Sequence, residues 1–202
     1  MCAFFTGCKK SNSSTYLLAY VFDFVTYICR MNSITIRYAG AADAELIADM
    51  SRQTFYDTFA AVNTKEDMDK FMNEKFSKKK LIKEVADEKN IFLLAFDDNI
   101  PVGYAYMWEG EKRSEFNGKS SIEIARIYAL KSSIGKGVGK ALLEKCLSVA
   151  SEMKRSIIWL GVWENNQRAI EFYTKWGFEK FAEHDFVLGN DIQKDWLMMK
   201  KV

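Results

Sequence analysis

Three features of this 202-residue chain predict an α/β fold built on a mixed sheet. Strand-like and helical stretches follow one another in the order β-α-α-α-β-β-β-α-β-α-β-β. One strand, "SIIWLGV", is continuously apolar, as a strand buried on both faces must be. Just upstream, a glycine-rich loop (Ile134 to Lys140, "IGKGVGK") joins a strand to a helix.

The elements can be justified in turn. "SITIRYA" (Ser33 to Ala39) alternates like a half-buried strand. Ala42 to Ala60 places Leu46, Ile47, Met50, Phe55 and Phe59 near helical spacing. Asn63 or Thr64, followed by Glu66 and Asp67, starts a second helix that runs to about Phe76. A third helix covers about Lys78 to Asp87. "NIFLLAFDDNIPVGYAYMWEG" reads as two strands around the turn Asp97-Asp98-Asn99, and Ser121 to Leu130 as another strand. Leu142, Leu143, Cys146, Leu147 and Ala150 then share one helical face. "NNQRAIEFYTKWGF" is a capped helix stopping at Gly177, and "FEKFAEHDFVLG" and "QKDWLMMKK" close the chain as strands.

With 49% hydrophobic and 28% charged residues, the composition is that of a globular domain with a sizeable core. The first thirty residues carry three of the four cysteines and a net charge of +2, which equals that of the whole chain. Residues 31–202 are therefore neutral, which argues against a broad nucleic-acid or membrane footprint. The apolar run from Tyr16 to Cys29 is shorter than the ~20 residues of a spanning helix and is interrupted by Asp23. Residues 1–30 read as an upstream extension, with Met31 as the functional start of a 31–202 domain. Cys146, alone in that domain, points to a reducing, cytoplasmic setting.

Glycines at the mouth of a helix suit a phosphate ligand, because the backbone N–H groups there lack helical partners and sit at the positive end of the helix dipole. A Walker A loop ending on Gly139-Lys140 would need glycine at 134 and Ser or Thr at 141, but the chain has Ile134 and Ala141. A dinucleotide fingerprint starting at Gly135 would need glycine where Lys140 stands. Both readings fail.

What remains is "RIYALKSSIGKGVGKALL" followed, after a helix and a strand, by "ENNQRAIEFYTKWGF". This pair resembles the GNAT superfamily of acetyl-CoA-dependent N-acetyltransferases, from about Ile34 to Lys200. "TFYDTFAAVNTKEDMDKF" and "HDFVLGNDIQKDWLMMK" look like its PaiA-type polyamine-acetylating branch. The resemblance implies the GNAT (acyl-CoA N-acyltransferase) fold: a mixed, mostly antiparallel sheet whose central parallel strands splay apart, flanked by helices. It departs at Ile134, where the family usually has Gln or Arg. Gly137 and Gly139 keep the glycine places, so only a modest affinity cost is expected.

The resemblance also implies roles. Ile127, Tyr128 and Ala129 would pair with the pantetheine arm of acetyl-CoA, and the N–H of Ile127 or Tyr128 would stabilise the oxyanion. The loop Gly135, Lys136, Gly137, Val138, Gly139 and Lys140 would carry the diphosphate. Tyr173 would protonate the departing thiolate, with core packing as the competing role. Asn166 caps a helix and by resemblance also meets the cofactor arm. Glu123 is the first candidate for taking the amine's proton, directly or through water, against an ordinary strand-end carboxylate. His184, the single histidine, reads better as structural or surface. The acceptor is expected to be a small-molecule primary amine, a polyamine first, held by Asp57, Glu66, Asp67, Glu109 and Glu111. Another amine (a protein N-terminus, an amino acid or an aminoglycoside) and a non-catalytic acyl-CoA-binding module are the alternatives. No metal, nucleic acid or membrane partner is expected, and a homodimer is left open.

Overall fold

The computed structural model describes residues 34–110 and 112–202. The proposed extension 1–30, the start at Met31 and Glu111 lie outside them. The elements are β1 (Thr35–Tyr38), α1 (Ala44–Phe59), α2 (Lys65–Glu74), α3 (Lys78–Val85), β2 (Ile91–Asp97), β3 (Ile100–Trp108), β4 (Ser121–Ala129), α4 (Val138–Glu152), β5 (Ile157–Trp163), α5 (Gln167–Lys175), β6 (Glu179–Leu188) and β7 (Asp191–Lys201). Their order is the one the sequence predicts. Two caps explain where helices begin. Thr64 Oγ1 accepts the Asp67 N–H at 3.1 Å, and Asn166 Oδ1 accepts the Ala169 N–H at 3.2 Å.

The seven strands form one sheet in the order β1-β2-β3-β4-β5-β7-β6. Only β4 and β5 run parallel; every other neighbouring pair is antiparallel. This is the GNAT arrangement. On one face, Leu142, Leu143 and Cys146 of α4 pack on Ala105, Ile124, Ile158 and Leu160. Each fully buried leucine there contributes about 1.5–3 kcal/mol. On the other face, α1 and α3 cover Leu94, Tyr104 and Tyr106. The β6–β7 hairpin reaches over to α2, where the Asn190 N–H donates to Asp67 Oδ1 at 2.7 Å. Phe186 of β6 then joins Phe55, Phe59, Phe71 and Phe76 in a separate aromatic cluster.

Two features of β4 shape the site. Its pairing with β5 runs from Ser121↔Ile157 to Ile124↔Leu160 and stops there. Its pairing with β3 continues to Gly103↔Ala129, past a bulge in which Tyr106 opposes Arg126 while Met107 opposes Ile124. From Ala125 onward, β4 therefore has a partner on one side and a gap on the other. Gly103 permits that close pairing: a Cβ there would sit 2.6 Å from the Tyr128 carbonyl oxygen and 2.8 Å from Val138 Cγ1.

Candidate active site

The gap between β4 and β5 is part of one cleft of about 690 Å³. Backbone alternation decides which groups of β4 face it. The Leu130 N–H donates to the Val102 carbonyl at 2.8 Å, so residue 130 points toward β3. Alternation turns the N–H and C=O of Ala129 and Ile127 the other way, into the gap, and those of Tyr128 toward β3. Of the two N–H groups considered for the oxyanion, that of Ile127 is the one that faces the gap.

The glycine loop forms one end of the cleft. Gly135 and Gly137 both have φ of +87°, in the left-handed region that L side chains rarely adopt. A Cβ on Gly135, Gly137 or Gly139 would meet nothing within 4 Å, so the loop is an open cradle of backbone. The first helical bond of α4 is from the Ala141 N–H to the Gly137 carbonyl, at 3.0 Å. The N–H groups of Val138, Gly139 and Lys140 thus fall in the first turn, without a helical acceptor. Lys131, Lys140 and Arg168 also line the cleft and supply positive charge.

Tyr173 of α5 lines the cleft on the face that α4 covers, 8% exposed and packed against Phe172 and Phe178. Burial, and then the nearby Cys146, push its phenol above the ordinary tyrosine value, so it holds its proton. The Cys146 thiol, fully buried, is pushed up to about 12 and is no nucleophile at neutral pH. The cleft is also lined by Phe59, Phe71, Phe76, Trp163 and Phe186, and by the carboxylates of Asp57 and Asp195.

Residues 52–178 match the Acetyltransferase (GNAT) family. The chain belongs to that family. This GNAT domain is 36% identical over 170 residues to an uncharacterized N-acetyltransferase of Lactobacillus delbrueckii subsp. lactis, covering 84% of this chain and 98% of that protein. It is 24% identical over 173 residues to the spermidine N(1)-acetyltransferase of Thermoplasma acidophilum, covering 84% and 98%. The crystal structure of PaiA N-acetyltransferase from Thermoplasma acidophilum in complex with coenzyme A superposes with a TM-score of 0.64 at 26% identity, over 84% of this chain and 99% of that one. The GNAT fold follows, and the likeness to PaiA supports a PaiA-like branch. The protein is an N-acetyltransferase, and acetyl-CoA is the co-substrate of its family.

Most residues singled out in this GNAT sequence line the cleft: Ile127, Tyr128, Ala129, Gly135, Gly137, Gly139, Lys140, Asn166 and Tyr173. Lys136 and Val138 are not among its lining residues. The Lys136 N–H turns back to the Ser133 carbonyl at 3.3 Å, and the Val138 side chain is buried in the core. Ile134, 47% exposed, lines the cleft with an apolar side chain.

Glu123 stands apart from these residues. It sits in the closed, paired part of β4, opposite Trp159, and accepts the Trp108 indole N–H at 2.9 Å. Four residues of strand, about 13 Å, separate it from Ile127. It is not among the cleft-lining residues, so it could reach the amine's proton only through water. Arg126 ties β4 to α3 and not to another strand: its Nη2 donates to Glu84 Oε1 and Oε2 at 2.6 Å.

The acidic groove is corrected. Asp67 is held by Thr64 Oγ1 at 2.6 Å and by the Asn190 N–H, bonds that keep its carboxyl below the usual range. Glu109 pairs with Arg155 and lines a different cleft, and Glu66 lies outside the active cleft. Of those carboxylates, the described residues leave Asp57 alone in it. Asp195, Gln193 and Arg168 are cleft residues that the sequence reading missed. The signal for Asp195 was Gly161, a glycine in an otherwise apolar strand, which marks close approach of another group. Among the described residues, no helix is long and apolar enough to cross a membrane.

Proposed function

We propose that the protein transfers the acetyl group of acetyl-CoA to a polyamine by direct attack of a primary amine. The observation that carries the reading is the cleft itself. It joins an open backbone cradle at a helix start, an unpaired strand edge, a buried protonated phenol and an aromatic chamber holding carboxylates. Gly135 to Lys140 hold the diphosphate, aided by Lys131 and Arg168. Ile127 and Ala129 pair with the pantetheine arm as an added strand would, and the Ile127 N–H meets the oxyanion that forms on attack. Asn166 spends its Oδ1 on the helix cap, which leaves its amide nitrogen as the end that meets the arm. Tyr173 gives its proton to the departing thiolate. A catalytically silent acyl-CoA binder has no use for that phenol.

The loop assignment has a direct check. Coenzyme A should raise the melting temperature of the wild-type protein more than NAD or ATP with magnesium does, since a ligand bound by the native state alone stabilises it. Gly137→Val forces a β-branched residue to φ +87° and should raise the acetyl-CoA KM on the order of ten- to hundred-fold, from ~1–3 kcal/mol of strain and misaimed donors. An unchanged KM would remove the diphosphate from this loop.

The polyamine acceptor is supported by the spermidine-acetylating relative and by the aromatic, acidic chamber. A polyamine presents one neutral amine to the thioester while its remaining positive charges need aromatic faces and carboxylates. Thiol release from acetyl-CoA, measured with spermidine, spermine, amino acids, aminoglycosides and peptide N-termini, tests it. A polyamine should give the highest kcat/KM, with a KM that rises with salt. Asp57→Asn should raise that KM about two- to five-fold, while Glu66→Gln leaves it unchanged. A peptide or aminoglycoside well ahead of spermidine would assign a different acceptor.

A further inference from the structure

The acceptor amine must lose a proton, and Glu123, which accepts the Trp108 indole N–H, does not line the cleft. The sheet offers another carboxylate. β7 lies between β5 and β6, so that Asp195 directly opposes Trp163 on one side and His184 on the other. Directly opposed residues share a face of the sheet. Asp195 Oδ2 lies 3.5 Å from where a Cβ on Gly161 would be, and Gly161 is the first residue of β5 beyond its last pair with β4. The glycine leaves room for the carboxylate at the point where the strands part.

The next residue, Val162, points to the opposite face, where it belongs to the same core cluster as Tyr173. Carboxylate and phenol therefore flank the gap from opposite faces. Tyr128 lies within electrostatic reach of both. Burial first, then Tyr104, Tyr173 and Asp195, push its phenol well above the ordinary value. Direct acyl transfer needs that arrangement, a proton acceptor on the side from which the amine enters and a proton donor on the side of the leaving sulfur. We propose that Asp195, backed by His184, is the base that deprotonates the acceptor amine.

The step balances. The ammonium gives one proton to the Asp195 carboxylate, and its freed lone pair forms the C–N bond at the thioester carbonyl. Collapse of the tetrahedral oxyanion breaks the C–S bond, and the thiolate takes the proton of Tyr173. The second proton leaving the nitrogen restores the phenol through water, and the first leaves as the net product proton. Its exit is His184, whose Nε2 lies 3.7 Å from Asp195 Oδ2. The Asp195 side chain is 17% exposed and that of His184 44%, so the pair runs from the cleft to solvent. Such pairs tighten in the ternary complex. Charged and titratable groups that line the cleft with Asp195 are Asp57 from α1, Arg126 and Tyr128 from β4, Lys131 and Lys140 of the loop region, and Arg168 and Tyr173 from α5.

The proposal rests on acetyl transfer in this cleft, and it holds for whichever amine ranks first in the panel, so a failed polyamine reading does not decide it. With acetyl-CoA saturating, kcat and KM are measured for that amine and for a weakly basic analogue already neutral at the assay pH. Asp195→Asn should lower kcat about 100-fold or more with the basic amine, leave both KM values within about threefold, and lose most of its defect with the analogue. A rise in amine KM alone would make Asp195 an ammonium anchor and overturn the proposal. A loss of equal size with both amines, or no loss, would overturn it as well. If Asp195→Asn fails to fold, His184→Gln decides: a fall in kcat of about tenfold, restored by imidazole in the buffer, supports the relay, and a fall without restoration overturns it.

Discussion

Tyr173→Phe should lower kcat by about 10²–10⁴-fold while leaving the acetyl-CoA KM nearly unchanged. The substitution removes one oxygen and keeps the ring. Its packing against Phe172 and Phe178 therefore survives, and the melting temperature should stay close to that of the wild type. The loss would come from the leaving thiolate, which otherwise departs without a proton. The raised phenol adds a pH signature. A group whose ionisation is pushed above its usual range stays protonated, and able to donate, throughout neutral and mildly alkaline pH. Tyr173 should therefore impose no alkaline limb on kcat below about pH 10, the ordinary tyrosine value. Because Cys146 is also protonated, no acyl-enzyme on that sulfur can substitute for direct attack. Steady-state kinetics between pH 6 and pH 10 on the two proteins would check both statements. A variant at wild-type rate would reduce Tyr173 to a core residue.

The order of elements was legible because each carries its own local signal: period-two alternation in β1, helical spacing in α1 and α4, and caps at Thr64 and Asn166. The donor half of the site was legible for the same reason, since Gly135, Gly137, Gly139 and Tyr173 all sit within two adjacent motifs. The acceptor half was not. Asp195 comes to the cleft because β7 inserts between β5 and β6, and nothing in "QKDWLMMKK" says beside which strand it will pair. Asp67 looked like a free carboxylate because its partner Asn190 is remote in sequence. Glu123 looked close to the loop because it shares a strand with it, but a nine-residue strand is long, and the splay begins only past Ile124. The neutral charge of residues 31–202 likewise concealed a local arrangement, a cleft lined by both cations (Lys131, Lys140, Arg168) and carboxylates (Asp57, Asp195).

Glu84→Ala should destabilise the protein by about 3–5 kcal/mol, because it leaves the guanidinium of Arg126 buried without its carboxylate. The two side chains are 16% and 26% exposed, and Glu84 takes both of its bonds from Arg126 Nη2. The remaining contacts of Arg126, over the rings of Phe76 and Tyr106, hold the cation less strongly than a carboxylate does. For a domain of this size, such a loss should lower the melting temperature by roughly 6–20 °C. Removing both partners, as Glu84→Ala with Arg126→Met, should restore much of the difference, since a paired charge replaced by an apolar side chain costs little. The consequence reaches the active site. Arg126 lies between the bulge at Ala125 and the Ile127 N–H, so its tie to α3 fixes the stretch of β4 that faces the gap. The single variant should therefore raise the acetyl-CoA KM at temperatures where it is still folded, and the double variant should recover stability more fully than KM. Equal destabilisation in the single and double variants would show that the ion pair is not what holds this part of β4 in place.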